Sequence, residues 1–197
     1  MKSVKSKSTI PENASSSRPF TPSNTIVGYK IGFDTNGPHR GWMVLSTRDQ
    51  ASGLSIGIPY KVKSRSNNKD KLRQEKSKVI PDLVDQVVNV YEKAGKHKRI
   101  WNAAIAIGQF DSDPQFTSED MKRLLREHKI EGRWSPVGQK EINGLEEINN
   151  KLVGNKVATF YAVGPHVPEQ LWWRAWQLGC LVYGCHQSLI SGSLKNS

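Results

Sequence analysis

A nine-residue alternation is the tightest constraint on what this chain can fold into. Leu54, Ile56, Ile58, Tyr60 and Val62 are apolar, and Ser55, Gly57, Pro59 and Lys61 stand between them. A period of two puts the apolar set on one face of a strand. Pro59 has no N–H to give to a ladder, which predicts an edge strand or a bulge. A similar alternation at Val27, Tyr29, Ile31 and Phe33 predicts an earlier strand. Asn36-Gly37 then predicts a turn and Trp42–Leu45 a second strand.

Helical signals follow. Pro81 suits a first helical turn, with Asp82 and Asp85 near the positive end of the dipole. Leu83, Val84, Val87, Val88 and Tyr91 form an apolar stripe, Lys93 sits in the last turn and Gly95 is a natural C-cap. A basic turn at Lys96–Arg99 leads into an apolar strand at Ile100–Ile107. Thr117 with Asp120 predicts a capping box for a helix running to Lys129. Residues 131–144 read as loop, and Leu145, Ile148 and Leu152 as a short helix. Val157–Val163 reads as a strand. Pro168 predicts a helix with Trp172, Ala175 and Trp176 on one face, closed by Gly179, with Cys180–Tyr183 extended after it. Strands early and late, mixed with helices, predict an α+β fold. The expected organisation is a disordered basic tail over residues 1–24 and a single compact domain over 25–197, with a mixed or antiparallel sheet packed by helices. The tail is rich in serine, proline and lysine and holds too little apolar surface to offset its ordering entropy.

The chain has 197 residues and a net charge of +11. Residues 1–24 carry net +3 and residues 61–78 net +6, while Lys93, Lys96, Lys98 and Arg99 add four charges, leaving the rest at −2. Three short segments therefore hold the whole excess, which points to a polyanionic partner. The candidate anion-facing set is Lys2, Lys5 and Lys7 in the tail; Lys61, Lys63, Arg65, Lys69, Lys71, Arg73, Lys76 and Lys78 in an expected basic loop at 63–78 and the strand before it; and Lys96, Lys98 and Arg99. On nucleic acid such residues release counterions; at an anionic membrane each adds about 1 kcal/mol. Two cysteines, Cys180 and Cys185, exclude a disulfide scaffold and are expected as free buried thiols. No signal peptide, myristoylation glycine or spanning run is visible, so any membrane contact is expected to be peripheral.

Catalytic motifs are absent. There is no phosphate loop, dinucleotide fingerprint or HExxH, and the five histidines lack metal spacing. Asp111 with Asp113 reads either as a metal or acid/base pair or as a polar turn before Pro114, and Glu146-Glu147 as a solvated helix face. Cys185-His186 are neighbours whose side chains would point apart on a strand. The expectation is a non-enzyme with no cofactor and no metal. Trp172 and Trp176 suit a core, whereas Trp173 is expected on the surface for self-association or a membrane interface. Base stacking is a further use for exposed tryptophan, but no aromatic platform interleaved with basic residues is visible in sequence.

The order of elements resembles the matrix protein of rhabdoviruses. The resemblance lies in Tyr60–Arg65, in Pro81–Gly95 with Lys96–Arg99 and Ile100–Gly108, and in Leu171–Tyr183 with its GCLV run, about a quarter of the chain. The tail has no PPxY, which suits a divergent member from a plant or insect host. The resemblance implies a structural protein that self-associates, condenses the nucleocapsid (nucleoprotein-RNA) and ties it to the anionic inner face of a membrane, beneath a virion envelope. Its partners would be nucleocapsid, anionic membrane, a second copy and RNA directly. The rival reading is a viral nucleic-acid binder such as a capsid protein, movement protein or silencing suppressor. A nuclear protein using Lys96-His97-Lys98-Arg99 as an import signal is the third.

Overall fold

The computed structural model describes residues 26–63, 69–97, 105–136, 144–164 and 166–193; at residues 69, 94–97, 144–148 and 183–193 only the backbone is described. The expected tail, with Lys2, Lys5 and Lys7, lies outside the described residues, as do Arg65, Lys98 and Arg99. The elements are β1 (Lys30–His39), β2 (Trp42–Asp49), β3 (Ser55–Lys61), α1 (Lys69–His97), β4 (Ile107–Phe110), α2 (Glu119–Glu127), β5 (Glu131–Trp134), α3 (Gly144–Val163), a 3-10 turn (Glu169–Leu171) and α4 (Trp172–Ser193). They form one α+β domain around a five-stranded mixed sheet of order β3-β2-β1-β4-β5. β1, β2 and β3 run antiparallel, whereas β4 and β5 are parallel to β1. Parallel neighbours need a long crossover, and α1 supplies it between the edge strand β3 and β4.

The pleat sorts the sheet into two faces. Ile31, Phe33, Met43, Leu45, Tyr60 and Phe110 are buried with Ile80, Val84, Val87, Val88 and Tyr91 of α1 and Met121 and Leu125 of α2. The opposite face carries a smaller core, in which Val44 meets Val153 and Val157 of α3 and Trp176 and Cys180 of α4. As expected for a strand containing proline, β3 is an edge. Cys180 is a buried free thiol, and burial pushes its pKa up to about 11.

Several elements differ from their sequence reading. The run read as a basic loop enters the first turns of α1, because Leu72, Val79 and Ile80 extend the apolar stripe toward the N-terminus. Pro81 therefore stands inside a 29-residue helix and does not open it. β1 continues through Asn36-Gly37, and the chain reverses at Arg40-Gly41, both at positive φ. The α2 cap is Ser118, whose hydroxyl accepts from the Met121 N–H at 3.3 Å, one residue past the expected Thr117. β5 falls within the expected loop, and Val157–Val163 is helical because Val153 and Val157 are one turn apart and share the second core. Gly179 does not end α4. It lies where α4 crosses α3, and a Cβ there would stand 3.1 Å from Val153 Cγ1.

Gly57 makes a comparable close approach, between β3 and α4. A Cβ would meet Cys180 Sγ at 3.2 Å and the Trp176 ring at 3.4 Å. Gly57→Leu should cost about 1–3 kcal/mol by forcing α4 off the sheet. A thermal melt should show a Tm lower by several degrees; an unchanged Tm would mean that α4 is not seated there.

Candidate active site

The site grows from the β1–β4 pairing. Lys30, Ile31 and Gly32 lie in register with Ile107, Gly108 and Gln109. Two further steps along this register bring Asp34 beside Asp111. The intervening pair, Phe33 and Phe110, confirms the alignment, with ring centroids 4.9 Å apart and stacked. Both phenylalanines face α1, so the next residue on each strand turns to the other side of the sheet.

Asp34 is held from two directions. Its Oδ1 accepts the Thr35 N–H at 2.7 Å, and its Oδ2 accepts from the Asn150 amide of α3. Asn36 Nδ2 donates to Asn150 Oδ1 at 2.9 Å and to Ser46 Oγ at 3.0 Å. The Trp176 indole N–H donates to the same hydroxyl at 3.0 Å. A polar chain thus runs from α4 through β2 and β1 to α3 and ends on the carboxylate. On the far side, the Asp113 N–H donates to Asp111 Oδ1 at 3.1 Å. Gln115 Nε2 donates to Thr35 Oγ1 at 3.0 Å and to Asp113 Oδ2 at 3.1 Å, while its buried Oε1 has no partner among the described residues. Lys76 Nζ lies 3.9 Å from Asp113.

Burial pushes the Asp34 carboxyl up to about 6; the Thr35 N–H opposes the rise, and the charges of Asp111 and Asp113 add to it. Asp111 is raised as well, again mainly by burial, against the Asp113 N–H and the nearby Lys76. Tyr60 is raised by burial and by the same carboxylates. Among the described residues no three carboxylate, imidazole or thiolate groups converge to hold a metal ion. The site offers Asp34 on β1 and Asp111 just past the end of β4, with the Asn150 amide bonded to Asp34.

The structure scatters the anion-facing set. Lys71, Arg73 and Lys78 are exposed on α1, and Lys61 and Lys63 are exposed at the edge strand. Lys69 and Lys96 are helical in backbone. Among the described members only Lys76 reaches the carboxylates, because it lies on the core-facing stripe between Leu72 and Val79. Trp173 is not free on the surface: it is half-buried and stacks on Trp42. Asp34 was missed in the sequence, although an acid interrupting an apolar strand (Ile31, Phe33) was its signal. Asp111 carries a sequence signal, with Asp113 before Pro114, that fits a metal or acid/base pair or a polar turn. Glu146 and Glu147 are the only acids on α3 and lie in its first turn, about one turn before Asn150.

No family model matches the sequence, and no curated protein matches it. Solved structures do match. The catalytic core domain of BIV integrase aligns with a TM-score of 0.56 at 11% identity over 86% of this chain and 99% of that one. The HTLV-2 integrase catalytic core domain in complex with magnesium, in its dimeric form, aligns at 0.51 and 13% identity over 78% of this chain and 86% of that one. A chain of the simian T-cell lymphotropic virus intasome in complex with PP2A regulatory subunit B56 gamma aligns at 0.58 and 11% identity over 79% of this chain and 48% of that one. This protein therefore spans about half the length of that intasome chain. The fold is RNase H-like.

This finding overturns the resemblance to rhabdovirus matrix proteins and the membrane-tethering role that it implied. The GCLV run, expected as a strand, is the middle of α4. The expectation of a non-enzyme is corrected by the same finding, since the shared fold is that of catalytic core domains. No described helix is long and apolar enough to cross a membrane.

A raised carboxyl makes a stability prediction. Asp34 binds its proton more tightly in the folded than in the unfolded chain, so its contribution is full below about pH 4 and is lost as pH rises to about 6. Asp34→Asn should remove that loss. Denaturant titration should find the variant more stable than the parent by on the order of 2 kcal/mol at pH 8 and nearly equal to it at pH 4. A difference that does not change with pH would contradict the burial of this charge.

Proposed function

We propose that this chain is a divalent-cation-dependent phosphoryl-transfer domain acting on phosphodiester bonds of nucleic acid. The observation that carries the reading is Asp34 set beside Asp111 by the β1–β4 register, on a fold shared with integrase catalytic cores. In open sheets of this kind ligands favour the carboxyl ends of strands where the chain order reverses. β1 is such a point, with β2 leaving to one side and β4 to the other.

The donor set suits Mg²⁺ or Mn²⁺. Carboxylate oxygens are hard ligands, and the Asp34 charge is disfavoured by burial and by its acidic neighbours, a penalty that a cation relieves. Asp34 and Asp111 would hold the ion, which as a Lewis acid would polarise a phosphoryl oxygen. The chain's own groups do the rest. Asn150 and the Thr35 N–H fix the Asp34 carboxylate in one orientation. Lys76 offsets negative charge at Asp113.

The test is an assay of end-labelled oligonucleotides with Mg²⁺, Mn²⁺ or EDTA. Cleavage or strand joining is expected only with a divalent cation. Asp34→Asn and Asp111→Asn should each lower it ~100-fold or more, consistent with several kcal/mol of lost transition-state stabilisation, without lowering thermal stability. Activity that survives both substitutions, or absence of turnover with every cation, would overturn the reading.

A further inference from the structure

The hairpin of β1 and β2 carries an aromatic and cationic ridge that the carboxylate site does not use. Trp42, at the start of β2, stacks on Trp173 of α4 with ring centroids 5.0 Å apart and planes 25° apart. The Arg174 guanidinium lies 4.6 Å from the Trp173 ring centre. His39 packs on Trp172 at 5.4 Å, and across the edge pairing Trp42 lies in register with Lys61. Arg40, at the tip, pairs with Glu169. Arg40, Lys61 and Arg174 are exposed, and the three indoles and one imidazole beside them are half-buried. Residues about 130 positions apart thus make the interleaved platform that no single stretch of sequence contains.

The ridge shares its strands with the carboxylates. His39 is five residues beyond Asp34 on β1, roughly 15 Å along the strand. Trp42, Val44 and Ser46 alternate on the face of β2 that α3 and α4 cover, and Ser46 pairs in register with Asp34. A strand of nucleic acid with a phosphodiester at Asp34 would reach Trp42 within a few nucleotides.

We propose that the Trp42–Trp173 ridge, with Lys61, Arg40 and Arg174, is a binding surface for single-stranded nucleic acid that feeds the Asp34–Asp111 site. Half-buried indoles present ring area to unstacked bases, which a duplex keeps covered, while the cations follow the backbone. The inference rests on the proposed function for its direction of travel, and it adds the substrate's form: single-stranded, held by the ridge to one side of the scissile bond.

The experiment is fluorescence anisotropy with a labelled single-stranded oligonucleotide, its duplex, and anionic vesicles as competitor, at several salt concentrations. The full chain should bind the single strand at least tenfold more tightly than the duplex. Trp42→Ala should weaken single-strand binding about tenfold, and Trp42→Phe should restore most of it. Arg174→Glu, an exposed change that leaves the core intact, should weaken binding and reduce the salt slope by about one or more. Equal binding of duplex and single strand, unchanged affinity in Trp42→Ala and Arg174→Glu, or preferential capture by vesicles would each overturn the ridge. A chain that binds through the ridge but never cleaves would leave it standing while the proposed activity falls.

Discussion

The parallel pairing of β1 with β4 is the constraint from which the rest follows. One contact locks its register: Phe33 stacked on Phe110 beneath α1. The pleat then decides the next position on each strand. What is apolar and buried on one side becomes Asp34 and Asp111 on the other. Sliding β4 by one residue would turn an acid into the core on the α1 side and a phenylalanine to the opposite face. The hydrophobic core therefore sets the spacing of the carboxylates, and no dedicated loop is needed to bring them together.

That arrangement carries a cost in folding free energy. Two carboxyls are raised by burial, and only part of the penalty is offset by the Thr35 and Asp113 N–H groups, Asn150 and Lys76. Sites with this property are stability–function compromises, because neutralising the charge stabilises the fold and removes the chemistry. The polar chain from Trp176 through Ser46 and Asn36 to Asn150 gives the second face a part in the compromise. α4 is anchored by its small contact residues, Gly179 at α3 and Cys180 over Gly57. If α4 were displaced, the indole donor would leave Ser46, and the amide holding Asp34 would lose its own support.

Sequence patterning made the antiparallel half legible. The Leu54–Val62 alternation, the edge position of Pro59 and the apolar stripe of α1 are local signals, and each matches an element. What failed was nonlocal. β5 has four residues and one glycine, too short for periodicity to register. The Val157–Val163 run is rich in residues that favour strands, yet packing of Val153 and Val157 one turn apart overrides propensity. Gly179 looked like a helix stop because a close helix crossing and a C-cap both select glycine. The site was only half legible: Asp111 stands out with Asp113 in a polar stretch before Pro114, while Asp34 and Asn150 gain meaning only when strands and helix meet across 116 residues.

Net charge points to a polyanion without showing where it would dock. The described lysines and arginines of α1 are spread around a helix and mostly point to solvent, and only Lys76 turns inward, toward acids. A positively charged surface draws a phosphate chain in from a distance but cannot orient it. Orientation needs shaped contacts, which the structure supplies in two places: stacked indoles beside Arg174 and carboxylates on paired strands. The carboxylates alone would repel the phosphates that the surface attracts. In the proposed reading a divalent cation held by Asp34 and Asp111 would change that sign locally, and a basic protein with an acidic centre would suit a substrate that arrives as a polyanion and is gripped through a metal.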